Sequence, residues 1–98
     1  MNTISIAGKL IEDPQRASSA SGINFAKIKL AVDKPSKDNE NGYDVFEVTV
    51  FRDLADIKLE VGQFLGVTGK LVSNNYDKEG KKYYNCQLIG STITVLGM

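Results

Sequence analysis

Apolar and polar residues alternate along most of this chain, and a period of two is typical of strands that bury one face. Five stretches show this pattern, and a short strand over residues 91–96 is expected to continue the fifth stretch after a break at Gly90. The pattern therefore predicts an all-β chain. The positions predicted to face the core are Ile4, Ile6 and Leu10; Ala26, Ile28, Leu30 and Val32; Phe46, Val48 and Val50; Leu65, Val67 and Leu71; and Tyr84, Cys86 and Leu88.

The opposite faces of the second and third strands carry aromatic and basic side chains. Phe25 is followed there by Lys27 and Lys29, and the third strand places Tyr43 and Phe51 on its outer side, with Val45, Glu47 and Thr49 between them. An outward phenylalanine costs solubility, so two of them on neighbouring strands indicate a patch that is covered. The pattern leaves open whether a ligand or another subunit covers it.

Only the stretch 52–62 has helical spacing, with Leu54, Ile57 and Val61 recurring at steps of three and four residues before a glycine. Five strands with one short helix between the third and the fourth form the layout of an OB-fold. In that small Greek-key barrel, strands two and three bind oligonucleotides. The predicted fold is therefore an all-β, five-stranded Greek-key barrel with a long hairpin between strands four and five.

Polar stretches separate the strands. Residues 16–22 and 33–42 are rich in Ser, Asn, Asp, Pro and Gly and are predicted to be loops. The hairpin KLVSNNYDKEGKKYYNCQL (70–88) contains three of the four tyrosines among several lysines. Stacking rings among cations suit single-stranded nucleic acid, although tyrosines also pack in ordinary cores.

Composition narrows the possible functions. Twelve basic and twelve acidic residues cancel, which argues against a strong polyanion binder unless the charges are segregated locally. The chain has no histidine, which removes the commonest general base and a common zinc ligand. Its single cysteine fits a reducing compartment, and no apolar stretch reaches the roughly 18 residues of a membrane span. These observations predict one cytoplasmic domain, residues 1–98, that is not an enzyme and uses no metal or cofactor.

Four segments resemble, in order, the bacterial single-stranded DNA-binding protein (SSB) family. They are MNTISIAGKLIEDPQ, SGINFAKIKLAVDKP, FEVTVFRDLAD and FLGVTGKLVSNNY, and together they cover nearly all of the chain. Several features depart from the family pattern, among them a missing ring at Ser36, the outward Glu47 and a shorter helix. Two departures bear most on binding and on partners. Val45 aligns with a frequent aromatic residue, and TITVLGM takes the place of a continuation into a flexible acidic tail. The resemblance is thus either to the folded core of a longer member or to a short form of the family, such as phage, plasmid or primosome-associated OB proteins. For a short form, partners recruited through the tail are not expected.

The resemblance implies that Phe51 and Tyr76 stack on bases, and stacking accepts any base. Tyr84 resembles a packing residue of the hairpin, and Tyr83 is a weaker ligand candidate. The resemblance also implies that six lysines, at positions 9, 27, 29, 70, 81 and 82, neutralise phosphates. Each of them is equally well interpreted as a solvated surface charge. The candidate nucleic-acid-binding residues are Phe51, Tyr76, Lys27, Lys29, Lys9, Lys70, Phe25, Tyr43, Lys81 and Lys82.

The function implied by the resemblance is sequence-independent binding and protection of single-stranded DNA in replication, recombination or repair. Family members pair their N-terminal strands between subunits, and TISIAG is an uncharged, pairing-competent edge, so a homotetramer is expected first and a dimer second. A primosome-type OB-fold adaptor that binds proteins, and DNA weakly, is the alternative. A barrel that binds only proteins is a third class.

Overall fold

The computed structural model describes residues 1–33 and 42–97, without the side chains of Asn74 and Tyr84. Within these residues, six strands and one 3-10 helix follow one another. The strands are β1 (Ile4–Leu10), β2 (Gln15–Ser18), β3 (Asn24–Asp33), β4 (Tyr43–Phe51), β5 (Phe64–Lys78) and β6 (Lys81–Gly97), and the 3-10 helix is Arg52–Asp56. Among the described residues, no helix has the length and apolar composition needed to cross a membrane.

The sheet closes into a barrel because β1 pairs with two strands. The strand order is β1-β5-β6-β4-β3-β2, and β1 also pairs with β3. Five strands therefore form the closed ring, and β2 is added at the outer edge of β3. The pairing of β4 with β6 is parallel, and the other pairings are antiparallel. The predicted all-β OB-fold is confirmed, with its short helix between the third and fourth barrel strands.

Aliphatic side chains from four strands and from the segment after β4 fill the barrel. Ile6, Leu88 and Ile93 pack against this core while remaining partly accessible. Each large aliphatic side chain that is fully buried contributes about 1.5–3 kcal/mol. The buried apolar residues are Leu10, Ala26, Ile28, Leu30, Val48, Val50, Ala55, Leu59, Leu65 and Val67, and most of them were predicted from the alternation.

Three positions predicted to face inward are instead exposed. Leu71 and Phe46 are 40% and 37% exposed, and Cys86 is also exposed. Beyond Gly69 in β5 and Leu88 in β6, these two strands pair only with each other among the described residues. The alternation continues into this free hairpin, where Leu71 and Cys86 have no core to face. The corresponding prediction for Tyr84 concerns a side chain outside the described set.

Thr49 shows the opposite deviation, because it was predicted to face outward and is 3% exposed. It lies on the outer face of β4, but Gln87 covers it and donates a hydrogen bond from Nε2 to its Oγ1 at 3.2 Å. The outer face of β4 is therefore in contact with β6.

Local hydrogen bonding explains two further differences. The loop predicted over 16–22 is shorter, because β2 pairs with β3, and Arg16 donates hydrogen bonds to the carbonyls of Ala55 (2.9 Å) and Ile57 (2.7 Å). The helix predicted over 52–62 ends at Asp56, where Ile57 turns to an extended conformation. Of the other predicted loop, residues 34–41 lie outside the described residues.

The strands β5 and β6 cross closely at two glycines. Gly69 pairs with Gly90 next to a register shift, and a Cβ at Gly69 would collide with the carbonyl of Ile89. Gly90 is buried, and β6 continues through it without the predicted break. A Cβ at Gly90 would lie 2.8 Å from a Val50 methyl and 3.0 Å from a Val67 methyl, so the core leaves no room for a side chain.

We expect Gly90→Ala to lower the free energy of unfolding by about 1–3 kcal/mol, because it overpacks the core. The control is Gly97→Ala in the same strand, where a Cβ would meet nothing within 4 Å. Urea denaturation followed by circular dichroism measures both variants. Equal stability of the two variants would contradict the assigned crossing.

Candidate nucleic-acid interface

The outer face of β3 and β4 collects five of the ten predicted site residues. Directly opposed residues in an antiparallel pair share a face. The cross-strand pairs that project on this side are Phe25↔Phe51, Lys27↔Thr49, Lys29↔Glu47, Ala31↔Val45 and Asp33↔Tyr43. The rings of Phe25 and Phe51 lie 6.3 Å apart at 48°. Phe51 is 39% exposed and Phe25 is half-buried, so Phe51 presents more of its ring to solvent.

Carboxylates accompany the two lysines of this face. Lys27 Nζ lies 3.9 Å from Glu47 Oε1, and Lys29 Nζ lies 3.2 Å from Glu12 Oε1. All four side chains are more than a third exposed, and ion pairs of this kind contribute at most about 1 kcal/mol. A phosphate could therefore replace either carboxylate at small cost. The sequence identified Glu47 as an outward residue next to the expected phosphates, whereas nothing in the alternation brought Glu12 to Lys29.

Two tyrosines form a stacked pair on the hairpin. Tyr76 and Tyr83 are directly opposed, with ring centroids 5.2 Å apart and an interplanar angle of 14°. They are 48% and 40% exposed. Tyr76 was predicted as a stacking residue, and Tyr83 only as a weaker candidate. The sequence signal for the pair is symmetric placement, because each tyrosine lies the same number of residues from the two-residue turn.

The lysines of the hairpin divide between its two sides. All of them are exposed. Lys70 and Lys81 lie on the same side as the tyrosine pair by strand alternation. Lys82 is opposed to Asp77 and projects from the other side, although both border an open pocket of about 370 Å³ next to Tyr76. Lys82 is thus less directly placed beside the rings than was predicted.

The hydrogen bond between Gln87 and Thr49 joins these two surfaces. Gln87 lies four residues from Tyr83 along β6, on the same side of that strand, and its amide reaches the outer face of β4. Thr49 lies two residues from Phe51 on the same side of β4. The phenylalanine pair and the tyrosine pair therefore lie on one continuous outer surface, which we call the ring surface.

Lys9 occupies the end of β1, outside the ring surface. It is exposed and is opposed to Ala31 in β3 and to Phe64 in β5. Phe64 is 44% exposed and was not among the predicted site residues. Its position was readable from the sequence, because it directly precedes a residue assigned to the core, Leu65.

Within residues 1–33 and 42–97, no three Asp, Glu, Cys or His side chains gather closely enough to hold an ion. Cys86 is exposed on the side of β6 opposite to Tyr83, and it is opposed to Ser73 across the hairpin. The described side chains of the ring surface include aromatic, basic, acidic, hydroxyl and amide groups.

Comparison with known proteins adds an independent finding. The model of the single-strand binding protein family matches residues 1–96. "Single-stranded DNA-binding protein 1" of Staphylococcus aureus strain Mu50 is 31% identical over 102 residues, covering 98% of this chain and 65% of that protein. "Single-stranded DNA-binding protein 3" of Listeria innocua is 28% identical, covering 98% of this chain and 64% of its own length. The chain thus spans slightly less than two thirds of these relatives.

Proposed function

The chain belongs to the single-strand binding protein family, and we propose that it binds single-stranded DNA along the ring surface without reading the base sequence. The observation that carries this proposal is the continuity between the Phe25–Phe51 pair and the Tyr76–Tyr83 pair through the Thr49–Gln87 hydrogen bond. An extended strand could contact both pairs without leaving the surface.

Base stacking supplies the first part of the proposed affinity. Each ring that a base covers contributes about 1–3 kcal/mol, and every base offers a flat face, so the contact is indifferent to sequence. Phe51 and Tyr76 are the principal platforms. Phe25 contacts Phe51 at a tilt and holds that ring in place, and Tyr83 does the same for Tyr76 in a parallel stack.

Phosphate neutralisation supplies the second part. Lys27 and Lys29 each exchange a carboxylate for a phosphate oxygen. Each therefore contributes less to the free energy of binding than an unpaired lysine would. Lys70 and Lys81 accompany the tyrosine pair, and Lys9, Tyr43 and Lys82 lie at the margins. Because binding releases counterions, affinity falls as salt concentration rises. The zero formal net charge makes this local arrangement, and not the overall charge, the source of attraction.

We also propose a non-enzymatic, cytoplasmic role in replication, recombination or repair, carried out by a homo-oligomer. Among the described residues, β1 pairs with β3 only at Lys9 and Leu10, so the stretch Ile4–Gly8 has a sheet partner on one side only. Such an edge can pair with a second copy. A tetramer is the first expectation and a dimer the second.

A primosome-type adaptor is the second candidate. The ion pairs of Lys27 and Lys29 and the aliphatic Val45 on the outer face both favour weaker DNA binding than a surface of free cations and rings. Under this alternative, a protein partner covers part of the same surface.

The first test replaces Phe51 by leucine, which keeps an apolar contact with Phe25 and removes the flat ring. We expect oligo(dT) binding to weaken by about 1–3 kcal/mol, measured by fluorescence anisotropy at fixed salt. Phe46→Leu is the control, because Phe46 lies on the same strand with nearly equal exposure, 37% against 39%, but faces the other side. Equal losses in the two variants, or no loss in either, would refute Phe51 as a platform.

The tyrosine pair is tested by a double-mutant cycle. Tyr76→Ala and Tyr83→Ala should each weaken binding, and their effects should be non-additive by at least about 0.5 kcal/mol because the rings contact each other. Tyr76→Phe retains the stacking ring and should bind like the unmodified protein. Strictly additive effects would mean that the two rings contribute independently.

The electrostatic contribution is tested by Glu47→Gln. Removing the carboxylate beside Lys27 should tighten oligo(dT) binding at low salt by about two- to fivefold, a gain that shrinks as salt is added. Glu60→Gln makes the same change in net charge in the turn before β5 and should have a smaller effect. If both variants tighten binding equally, the gain reflects overall charge and not release of Lys27.

A further inference from the structure

The outward surface of the barrel does not stop at β3 and β4. Lys9 in β1 is opposed to Ala31 on one side and to Phe64 on the other, so these three residues share a face. Their neighbours in the chain Leu10, Leu30 and Leu65 are completely buried. The shared face of Lys9, Ala31 and Phe64 is therefore the outer one, and it extends the β3–β4 face across β1 to the start of β5.

An open groove of about 590 Å³ lies along this extension. In the described part of the chain it is lined by Lys9, Ile11, Ala31, Tyr43 and Phe64, together with neighbouring small and acidic residues. Tyr43 and Phe64 are 56% and 44% exposed. We call it the Lys9 groove. It combines two accessible rings with one ammonium group, which are the same elements that the ring surface contains.

Lys9 differs from the lysines of the β3–β4 face in its charge environment. Lys27 and Lys29 have carboxylate partners, whereas Lys9 forms no ion pair within residues 1–33 and 42–97. Asp33 also lines the groove without pairing with Lys9. Among the described residues, an anion that enters the groove can therefore approach Lys9 without displacing a carboxylate.

We infer that the Lys9 groove is a second nucleotide subsite, in which Lys9 contacts a phosphate and Phe64 stacks on a base of the same DNA strand. This inference rests on the proposed function and adds a path across β1 that ends at Phe64. Strands are about 4.8 Å apart, so the three steps from β4 through β3 and β1 to β5 give a path of about 14 Å along the curved outer surface between Tyr43 and Phe64. The two rings therefore take different bases.

A second copy of the chain is a poorer occupant of this groove. A subunit contact would bury the Lys9 ammonium away from water, which is costly because Asp33, the described acidic residue of the groove, does not pair with it. A phosphodiester supplies an opposite charge, and its bases supply flat apolar faces for the rings. Nucleic acid thus fits both the charge and the shape of the groove.

The test is Phe64→Leu, measured with oligo(dT) of increasing length. For long oligonucleotides we expect affinity to fall about fivefold or more, because a stacked base is lost. For the shortest oligonucleotide that binds, the affinity should change less than twofold, because this oligonucleotide can remain on the ring surface. Phe64→Tyr should restore binding. Val95→Ala, another exposed apolar position at 49%, is the control.

Two further measurements make the outcome decisive. Lys9→Gln should reduce the slope of log affinity against log salt by about 0.7 for long oligonucleotides. In the unmodified protein, ultraviolet cross-linking to an oligonucleotide that carries 5-bromodeoxyuridine should give an adduct on the peptide that contains Phe64. This second measurement does not depend on whether a variant folds.

The results separate the failure of this inference from the failure of the proposed function. If Phe51→Leu weakens binding and Phe64→Leu does not, the ring surface stands and the Lys9 groove is overturned. If neither variant weakens binding, the proposed function fails as well. If Phe64→Leu changes the oligomeric mass in light scattering while affinity per subunit is constant, the groove is a subunit contact and the inference is overturned.

Discussion

The close crossing of β5 and β6 at Gly69 and Gly90 is the constraint on which the other features depend. On one side of this crossing the two strands belong to a closed barrel, and on the other side they form a free hairpin. A side chain at either glycine would meet backbone or core methyl groups. The absence of two Cβ atoms thus lets one pair of strands complete the core and also carry tyrosines beyond it.

Strand alternation separates the residues that fill the barrel core from the residues that form its outer surface. Inward positions of β3 and β4, such as Ile28 and Val48, are aliphatic and buried. Outward positions of the same strands carry rings and charges, and cross-strand pairing places them side by side. Stability and the proposed binding therefore depend on largely separate residues. Substitutions on the outer face can change recognition with little effect on the core.

Much of this arrangement could be predicted from the sequence, because the period of two specifies which side of a strand each residue occupies. The inward and outward sets of β3 and the exposure of Phe51 followed directly from it. Alternation does not reveal where a strand leaves the barrel, which is why Leu71 was wrongly assigned to the core. It also does not reveal contacts between strands that are distant in sequence.

Those long-range contacts decided the remaining details of the site. The pairing of Lys29 with Glu12 depends on how the loop after β1 returns past β3, and the stack of Tyr76 on Tyr83 depends on the exact pairing of the hairpin arms. The segment β2 has the composition of a loop, but it forms a strand because its backbone pairs with β3. Each of these requires the three-dimensional path of the chain.

The stacked tyrosines have a consequence for the entropy of recognition. An isolated exposed tyrosine samples several rotamers, and a ligand that fixes its ring must offset the loss of that freedom. Tyr76 lies nearly parallel to Tyr83, with about half of its surface exposed. Under the proposed function, a base that stacks on Tyr76 would therefore meet a ring whose orientation the contact with Tyr83 already restricts.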